Sequence, residues 1–254
     1  MQVAVIGGTG VLGAAVAREL SARGHQVRVV SRTTPADRTL EHRSADLATG
    51  SGLESALEGC ATVVDAVSAR SRTRAVMVDG VRRLLAAEKQ AGIGHHVEIS
   101  IVGCDLVPFA YYHAKVDQEQ MVTTGEIPWT LLRASQFHEL VTEILAAAAR
   151  WRLAPRSTAK VQPIDVDAVA TRLADAVDNG PAGRIPDIAG PTVHTLTELA
   201  DIYREHTGRK LLPLPVPIPG RAGRALRSGA LCLDGNGDAI GIGYAEWLSR
   251  QLNR

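Results

Sequence analysis

The first thirty-two residues constrain the fold more than any other stretch, because they read as a strand, a glycine turn, a helix and a second strand. Gln2 to Ile6 is a short, mostly β-branched run, typical of a parallel strand buried on both faces. Glycines follow it in the order G-x-x-G-x-x-G. Apolar residues then recur at helical spacing, at Leu12, Ala15, Val16 and Leu20. The glycines therefore lie where a strand turns into a helix.

Each glycine of this turn has a predicted role. Gly7 can adopt a positive φ in the tight turn, and Gly10 has no Cβ to keep a phosphate away from the backbone. Gly13 allows the helix to press against the strand. The helix N-terminus adds free N–H groups and a positive dipole end. The pattern predicts a dinucleotide site, with a merely structural turn as the alternative.

The end of the second strand, Gln26 to Ser31, indicates which dinucleotide is bound. NAD-binding chains usually place an acidic residue there to accept from the ribose 2′-OH. This chain has Ser31 and Arg32 instead, and a guanidinium suits a 2′-phosphate. We therefore predict NADP (NADPH) as the cofactor. The alternative is a solvated Arg32, with Asp37 reaching the ribose.

Strand and helix patterns alternate along the following residues. Their regular repetition predicts an α/β fold, a Rossmann-type doubly wound parallel sheet whose ligand lies at the C-terminal ends of the strands. Further on, prolines alternate from Pro213 to Pro219, which predicts an extended edge segment. The glycine-rich stretch from Leu231 to Gly243 predicts a mobile loop over the substrate cleft.

Composition argues against several classes of partner. The net charge is +1, from 28 basic and 27 acidic residues, and aromatic residues make up 4%, so we expect neither nucleic-acid nor membrane binding. Neither a long apolar run nor a leader is recognised, which predicts a cytoplasmic protein. The scattered Cys60, Cys104 and Cys232 suggest structural thiols. His95 and His96 point to opposite sides of a strand, so no metal site is predicted.

The segment YYHAK supplies candidate catalytic residues. Tyr111 and Lys115 are four residues apart and share a helix face. A lysine ammonium beside a phenol favours the phenolate and can also bind a nicotinamide ribose. Ser100, late in the preceding strand, can hold a substrate carbonyl or hydroxyl. A wall of the substrate pocket is the alternative role for Tyr111.

A sixth predicted strand begins after Pro128, and Gln136, Phe137 and His138 follow just past its end. Loops at this position face the nicotinamide in such sheets, so we expect these residues to line the substrate pocket. His138 either donates to the substrate or is a packed or capping histidine. Asp165, further along, resembles a helix N-cap rather than a catalytic carboxylate.

Taken together, these segments resemble the atypical short-chain dehydrogenase/reductases, in particular the NmrA-like NAD(P)-binding family. The likeness covers nearly the whole chain and rests on GGTGVLG, the SR that ends the second strand, YYHAK, LLRASQFHE and QPIDVDAVA. It implies one Rossmann-type domain over 1–254, with a small C-terminal substrate lobe built mainly from 186–254. It also implies that NADP is held by Gly7, Thr9, Gly10, Val11, Leu12, Gly13, Ser31, Arg32 and Lys115, with the adenine near Asp46 and Leu47.

The resemblance implies an NADP-dependent oxidoreductase, a reductase or dehydrogenase, acting on a carbonyl, alcohol or activated double bond of a small organic molecule. Alternatives within the family are a non-catalytic NADP redox sensor and an epimerase or dehydratase that retains its dinucleotide. Tyr111 together with Lys115 favours catalysis, whereas the short spacing of eleven residues from Ser100 to Tyr111 favours sensing. A monomer or homodimer is expected.

Overall fold

The computed structural model describes residues 1–69 and 73–253 and contains two compact units. The first unit comprises Met1–Ser100, Ala110–Leu132 and Val169–Ile185. The second comprises Ile101–Phe109, Arg133–Ala168 and Pro186–Arg254, so it draws on two segments that precede residue 186. Within the described ranges, no helix has the length and apolar character needed to cross a membrane.

The sheet of the first unit has the strand order expected of a dinucleotide-binding fold. Its strands are β1 Gln2–Ile6, β2 Gln26–Ser31, β3 Glu41–Ser44, β4 Thr62–Asp65, β5 His95–Ile101 and β6 Trp129–Ala134, the last two ending in residues of the second unit. They lie in the order β3-β2-β1-β4-β5-β6. β1 pairs in parallel with β2 and β4. The order therefore reverses beside β1, where such sheets bind ligands. This confirms the predicted fold class.

Helices of the first unit follow the strands in the alternation that the sequence predicts. They are α1 Val11–Ala22, α2 Leu53–Leu57, α3 Asp79–Ala91 and α4 Ala110–Thr123, with a π-helical turn at Arg74–Val78 before α3. Leu84 of α3 and Leu57 of α2 pack with Ile6 and Val63 of the sheet in one buried apolar cluster. Such burial contributes roughly 1.5–3 kcal/mol for each large aliphatic side chain. This packing fixes the strand ends that carry the candidate site.

The second unit contains shorter strands and a bundle of helices. Its elements are α5 His138–Ala149, β7 Leu153–Arg156, β8 Lys160–Val161, α6 Val166–Asn179, β10 Ile188–Ala189, β11 His194–Thr195, α7 Leu196–Thr207, β12 Leu212–Pro215, α8 Gly220–Ser228, β13 Asp238–Ala239 and α9 Tyr244–Leu252. α6 ends in the first unit, where β9 Gly183–Arg184 pairs with β6. Leu145, Leu199 and Trp247, from α5, α7 and α9, share one apolar core.

The alternating prolines form an edge strand, as the sequence predicts. β12 pairs only with β7 in a two-stranded sheet of the described chain. The Leu212 N–H donates to the Arg152 carbonyl at 2.8 Å, and the Val216 N–H donates to the Arg156 carbonyl at 2.9 Å. The prolines between them have no N–H to offer, so the segment cannot be a central strand.

The glycine-rich stretch expected to be a mobile loop is instead tied down by hydrogen bonds. Its residues 238 and 239 form β13, which pairs with β10. The Leu233 N–H donates to Gln162 Oε1 at 2.9 Å, and the Ile240 N–H donates to the Ala189 carbonyl at 2.8 Å. The stretch has few long apolar side chains because hydrogen bonds of its backbone, rather than apolar packing, hold it in place.

Candidate functional site

The glycine turn after β1 has the geometry predicted for it. Gly7 has φ +72°, the positive region that glycine adopts without strain. A Cβ on Gly13 would lie 2.3 Å from the Gly7 carbonyl oxygen, so helix and turn touch backbone to backbone. Glycine is also needed at position 8, which the G-x-x-G-x-x-G spacing does not include. A Cβ on Gly8 would lie 2.9 Å from Val29 Cγ1.

The N-terminus of α1 is left open by its own sequence. Gly10 is the N-cap with extended backbone, and no side chain caps the first N–H groups. The first turn also carries no acidic residue. Thr9 and Val11 are exposed beside it, whereas Leu12 is buried. A phosphate anion complements such a terminus, so these residues fit the pyrophosphate of a dinucleotide.

The residues after β2 differ in whether their side chains remain free to bind a ligand. Ser31 is 8% exposed, and its hydroxyl donates to the Thr33 carbonyl at 2.6 Å. Arg32 is exposed and has no recorded partner among the described residues. Asp37 accepts from the Thr39 hydroxyl and N–H at 2.6 and 2.9 Å, and these hydrogen bonds lower the pKa of its carboxyl. Among the described residues, Arg32 therefore has an exposed guanidinium without a recorded partner directly after β2, whereas Asp37 is engaged in its own turn.

Asp46 and Leu47, which the resemblance associates with adenine, lie after β3. The Asp46 carboxylate accepts from the Ala48 N–H at 2.9 Å and closes a local turn. Leu47 is 7% exposed and packs in the apolar cluster of the first unit. A Cβ on Gly80 would lie 3.0 Å from Leu47 Cβ, so α3 passes close to this turn.

Tyr111 lies in the first turn of α4 and places its phenol against a residue that the sequence did not single out. The Tyr111 hydroxyl lies 2.9 Å from the Ser68 hydroxyl, after β4. Its ring packs beside Met77 and Ala114. The phenol is therefore positioned by one hydrogen bond and one apolar wall. This arrangement serves either an acid or a pocket wall.

Lys115, one turn further along α4, points into the protein. It is 2% exposed, and its Nζ donates to the Ile99 carbonyl at 2.8 Å and to Glu98 Oε1 at 3.3 Å. Burial alone would lower the pKa of this lysine, but Glu98, Tyr111 and Asp65 together raise it above its usual value. Lys115 is therefore a buried, charged ammonium next to the phenol.

Around Lys115 the structure gathers a set of charged side chains that sequence reasoning missed. Gln118 Nε2 donates to Asp65 Oδ2 at 3.1 Å and to Glu98 Oε2 at 3.0 Å. His96 contacts Glu88 through Nδ1 at 2.9 Å and Glu98 through Nε2 at 3.4 Å. We call these residues the buried charge cluster: Asp65, Glu88, His96, Glu98, Lys115 and Gln118.

A metal ion is a poor occupant for this cluster. Asp65, His96 and Glu98 each place one oxygen or nitrogen within 4.8 Å of the others. Burial would lower the pKa of His96, but Glu88 and Glu98 outweigh it and raise that pKa well above the usual value. The imidazole therefore holds its proton in the metal-free protein, and a metal ion would have to displace that proton to bind the ring. Lys115 and this imidazolium already contribute two positive charges to the cluster.

A signal for the cluster was present in the sequence. Glu98 stands between Val97 and Ile99 in the buried strand β5, and Asp65 ends the buried strand β4. Buried strands seldom carry an ionised residue without a partner. Gln118 follows Tyr111 and Lys115 at i+7 and i+3, so all three share one face of α4. Ser100, the remaining predicted catalytic residue, is 2% exposed near the end of β5.

The predicted substrate segment belongs to the second unit. Phe137 is the N-cap of α5. His138 is fully buried, its Nε2 lies 3.0 Å from the Ile242 carbonyl, and its ring packs against Tyr244 and Trp247. Burial lowers the pKa of His138. Because a carbonyl only accepts, Nε2 carries the proton, and Nδ1 is a buried acceptor that has no recorded partner in the described part of the chain.

Gln136 contributes a second set of buried polar atoms to that segment. Its Nε2 and Oε1 are both buried, and neither has a recorded hydrogen-bond partner among the described residues. A buried amide without partners costs roughly 1–3 kcal/mol. The side chain is therefore ready to give one hydrogen bond and accept another from a ligand.

Solved structures of nicotinamide-dependent proteins share the fold of this chain. An NADPH-dependent quinone oxidoreductase of Escherichia coli, complexed with NADPH, is 21% identical, with a TM-score of 0.81 over 99% of this chain and 100% of that one. The triphenylmethane reductase of Citrobacter sp. is 19% identical, with a TM-score of 0.81 over 100% of both chains. The UDP-glucose 4-epimerase of Thermus thermophilus, complexed with NAD, is 20% identical, with a TM-score of 0.75 over 100% of this chain and 98% of that one.

Sequence relatives and a family model complete the comparison. An uncharacterized protein of Mycobacterium tuberculosis and one of Mycobacterium bovis are each 25% identical over 86% of this chain, which spans only 24% of their length. The model of a family described as NAD(P)H-binding matches residues 7–179, from the glycine turn to the end of α6. The resemblance to NmrA-like NAD(P)-binding proteins is thereby confirmed, and the chain belongs to the NAD(P)H-binding family.

Proposed function

We propose that this protein is an NADPH-dependent oxidoreductase that reduces a carbonyl or activated double bond of a small organic molecule, or oxidises the corresponding alcohol. The observation that carries the proposal is the shared α4 face of Tyr111 and Lys115. The phenol of Tyr111 is hydrogen-bonded by Ser68 and lies beside a buried ammonium. Both residues belong to the same unit as the glycine turn.

The cofactor assignment rests on the turn and on the end of β2. We propose that the open N-terminus of α1 holds the pyrophosphate, with Gly10 as the point of closest approach. Arg32 is the guanidinium for the 2′-phosphate, because it is exposed without a recorded partner among the described residues. An NAD-type acid is missing at that position, and Asp37 is engaged by Thr39.

The side chains divide the remaining work between them. Bound NADPH supplies the hydride. Tyr111 holds the proton that a substrate oxygen needs, and the Lys115 ammonium stabilises the phenolate left behind. Ser68 fixes the direction of the phenol. Ser100 is proposed, on the resemblance alone, as a further hydroxyl of the site.

Substrate contact is proposed for Gln136, Phe137 and His138 of the second unit. The buried amide of Gln136 without recorded partners supports this role among the described residues. His138 keeps its proton on Nε2 for the Ile242 carbonyl, so we propose that it accepts a hydrogen bond through Nδ1 or only packs. Similarity to an NADPH-dependent quinone oxidoreductase and a triphenylmethane reductase supports a reductase, at the level of the fold.

The cofactor proposal is tested by titrating NADPH and NADH into the protein and following fluorescence. NADPH should bind more tightly, and Arg32→Ala should remove most of the preference, about 1.5–3 kcal/mol for a charge-assisted contact. Arg82→Ala is the control, because Arg82 is an exposed arginine of the same unit that pairs with Asp79. Equal affinities for both cofactors in the unmodified protein would contradict the assignment.

The catalytic proposal is tested on a panel of ketones, quinones and enones. With a substrate that turns over, Tyr111→Phe should lower kcat by about 10²–10⁴-fold at nearly unchanged NADPH affinity. Tyr112→Phe removes a phenol from the next position of α4 and serves as the matched control. A full kcat in Tyr111→Phe would contradict the acid role and indicate that the Tyr111 side chain is only a wall of the pocket.

A redox sensor is the second candidate function. It is favoured by the inward direction of Lys115, whose ammonium is 2% exposed and bonded to Ile99 and Glu98. Absence of turnover across the whole panel, together with an NADPH-dependent change in affinity for a protein partner, would replace the enzyme by the sensor.

A further inference from the structure

The buried charge cluster holds more carboxyl groups than cations. Asp65, Glu88 and Glu98 are fully buried, and so is His96, while Lys115 is 2% exposed. With both cations charged, three carboxylates would leave one net negative charge inside the first unit. A buried charge without compensation is strongly unfavourable. The cluster therefore favours the uptake of one proton.

The contacts show which carboxyl group holds that proton. Glu88 contacts the His96 imidazolium at 2.9 Å. Glu98 contacts both cations, Lys115 at 3.3 Å and His96 at 3.4 Å. Among the described residues, the hydrogen bonds recorded to Asp65 come from amides, the Val67 N–H at 3.0 Å and Gln118 Nε2 at 3.1 Å. Asp65 is thus the carboxyl with the weakest stabilisation of its charge.

Two further observations agree with a protonated Asp65. Burial, and next the charge of Glu98, raise the pKa of Asp65 to about 7, against the opposing charges of His96 and Lys115. Gln118 is fully buried in the cluster, and its Oε1 has no recorded partner among the described residues. The cluster therefore has a spare acceptor for one more hydrogen.

We propose that Asp65 is a proton store that refills Lys115 through Glu98. The transfer step rests on the proposed function, whereas the stored proton does not. When the Tyr111 phenol gives its proton to a substrate oxygen, Lys115 Nζ passes one proton to the phenolate and becomes an amine. One proton then moves from the Asp65 carboxyl to Glu98 and on to that amine. Asp65 is left as a carboxylate and recovers its proton from water.

The charged and amide side chains facing Asp65 come from two elements of the first unit. β5 contributes His96 and Glu98, and α4 contributes Lys115 and Gln118. α3 acts on Asp65 indirectly, because its residue Glu88 stabilises the protonated form of His96. Asp65 touches neither Tyr111 nor Ser68 in a recorded contact, so it acts through Lys115 as a positioning and proton-supplying residue.

The stored proton is tested by infrared spectroscopy of the protein without cofactor, between about pH 5 and about pH 9. We expect a protonated-carboxyl band that disappears as the pH rises through about 7. Asp65→Asn should remove it. Asp37→Asn should keep it, because Asp37 is exposed with a lowered pKa. Absence of the band in the unmodified protein overturns the proposal.

The link to Lys115 and Glu98 is tested by the sign of two shifts. Lys115→Met should move the midpoint of the band to higher pH, because the lysine charge favours ionised Asp65. Glu98→Gln should move it to lower pH, because a neighbouring negative charge is lost. These variants also decide the matter if Asp65→Asn fails to fold. An unmoved midpoint in both overturns the proposal.

The transfer step is tested separately on a substrate that turns over. The pH profile of kcat should lose its inflection near the band midpoint in Asp65→Asn, while NADPH affinity stays unchanged. An unaltered profile overturns the transfer. A band that titrates as expected in a protein that neither binds NADPH nor turns over any substrate disproves the proposed function and, with it, the transfer, but leaves the stored proton established.

Discussion

The glycine turn and the buried charge cluster lie in the same unit and meet the needs of a nicotinamide site in opposite ways. The turn has no side chains at its glycines, so the backbone N–H groups of Gly10 and of the start of α1 are open to a phosphate. The cluster works by packing six polar side chains where water is excluded, and nearly every charge there has a partner of opposite sign. Substitutions next to such a turn should have local effects, whereas a substitution in the cluster changes the charge environment of the other members.

The two regions also differ in how far apart their residues lie in the sequence. Seven consecutive residues, from Gly7 to Gly13, contain the turn. The cluster draws Asp65 from β4, Glu98 from β5 and Lys115 from α4. Local patterns therefore predict the first region, and only tertiary pairing assembles the second.

The largest expected effect breaks the cluster. Glu98→Ala removes the carboxylate shared by Lys115 and His96 and leaves two buried cations with one partner fewer, which should cost about 3–5 kcal/mol of unfolding free energy. Urea denaturation measures the loss. The control is Glu246→Ala, which breaks the exposed Arg250 pair and should cost less than about 1 kcal/mol. Equal losses in both variants would show that the cluster is no more coupled than the surface.

The next largest effect concerns the glycine turn. Gly13→Ala puts a Cβ 2.3 Å from the Gly7 carbonyl oxygen, so α1 must shift, and we expect about 1–3 kcal/mol of destabilisation with loss of NADPH binding. Gly10→Val should spare the fold, because its Cβ meets only the Gly7 carbonyl, at 3.2 Å, yet it should abolish NADPH binding. Chemical denaturation and fluorescence titration separate the two effects. Normal NADPH binding by Gly10→Val would move the phosphate elsewhere.

Much of the fold and part of the site could be predicted from the sequence. The strands around Gly7 and the positive φ of that residue follow from short patterns of glycine and apolar residues. The inward direction of Lys115 could not be predicted, because a helical face says which residues align but not which strand receives them. His138 shows the same limit, since its partners Ile242 and Trp247 lie more than a hundred residues away.

A smaller effect, per pH unit, is the pH dependence that the cluster adds to stability. The folded pKa of Asp65, about 7, lies above its ordinary value of 3.8, so its contribution is fully present below about pH 4 and is lost as the pH rises through about 7. The slope is at most about 1.4 kcal/mol per pH unit. Asp65→Asn should remove this component from unfolding curves recorded across that window. Parallel curves for the variant and the unmodified protein would contradict the assignment.

The smallest effect tests whether a local pattern of the second unit behaves like the glycine turn. Thr195 caps α7 in a capping box with Glu198: the Thr195 hydroxyl accepts from the Glu198 N–H at 3.2 Å, and the Glu198 carboxylate accepts from the Thr195 N–H at 2.6 Å. Because this cap is not part of the buried charge cluster, Thr195→Ala should lower the free energy of unfolding by only about 1 kcal/mol. Thr195→Ser should restore that stability.

The capping hydrogen bonds lower the pKa of Glu198, so the contribution of Glu198 to stability is present above its unfolded pKa and fades as the pH falls. Thermal unfolding at neutral and acidic pH measures both, and a Thr195→Ala loss that matches Glu98→Ala in size would remove the distinction between a local cap and a cluster built from distant strands.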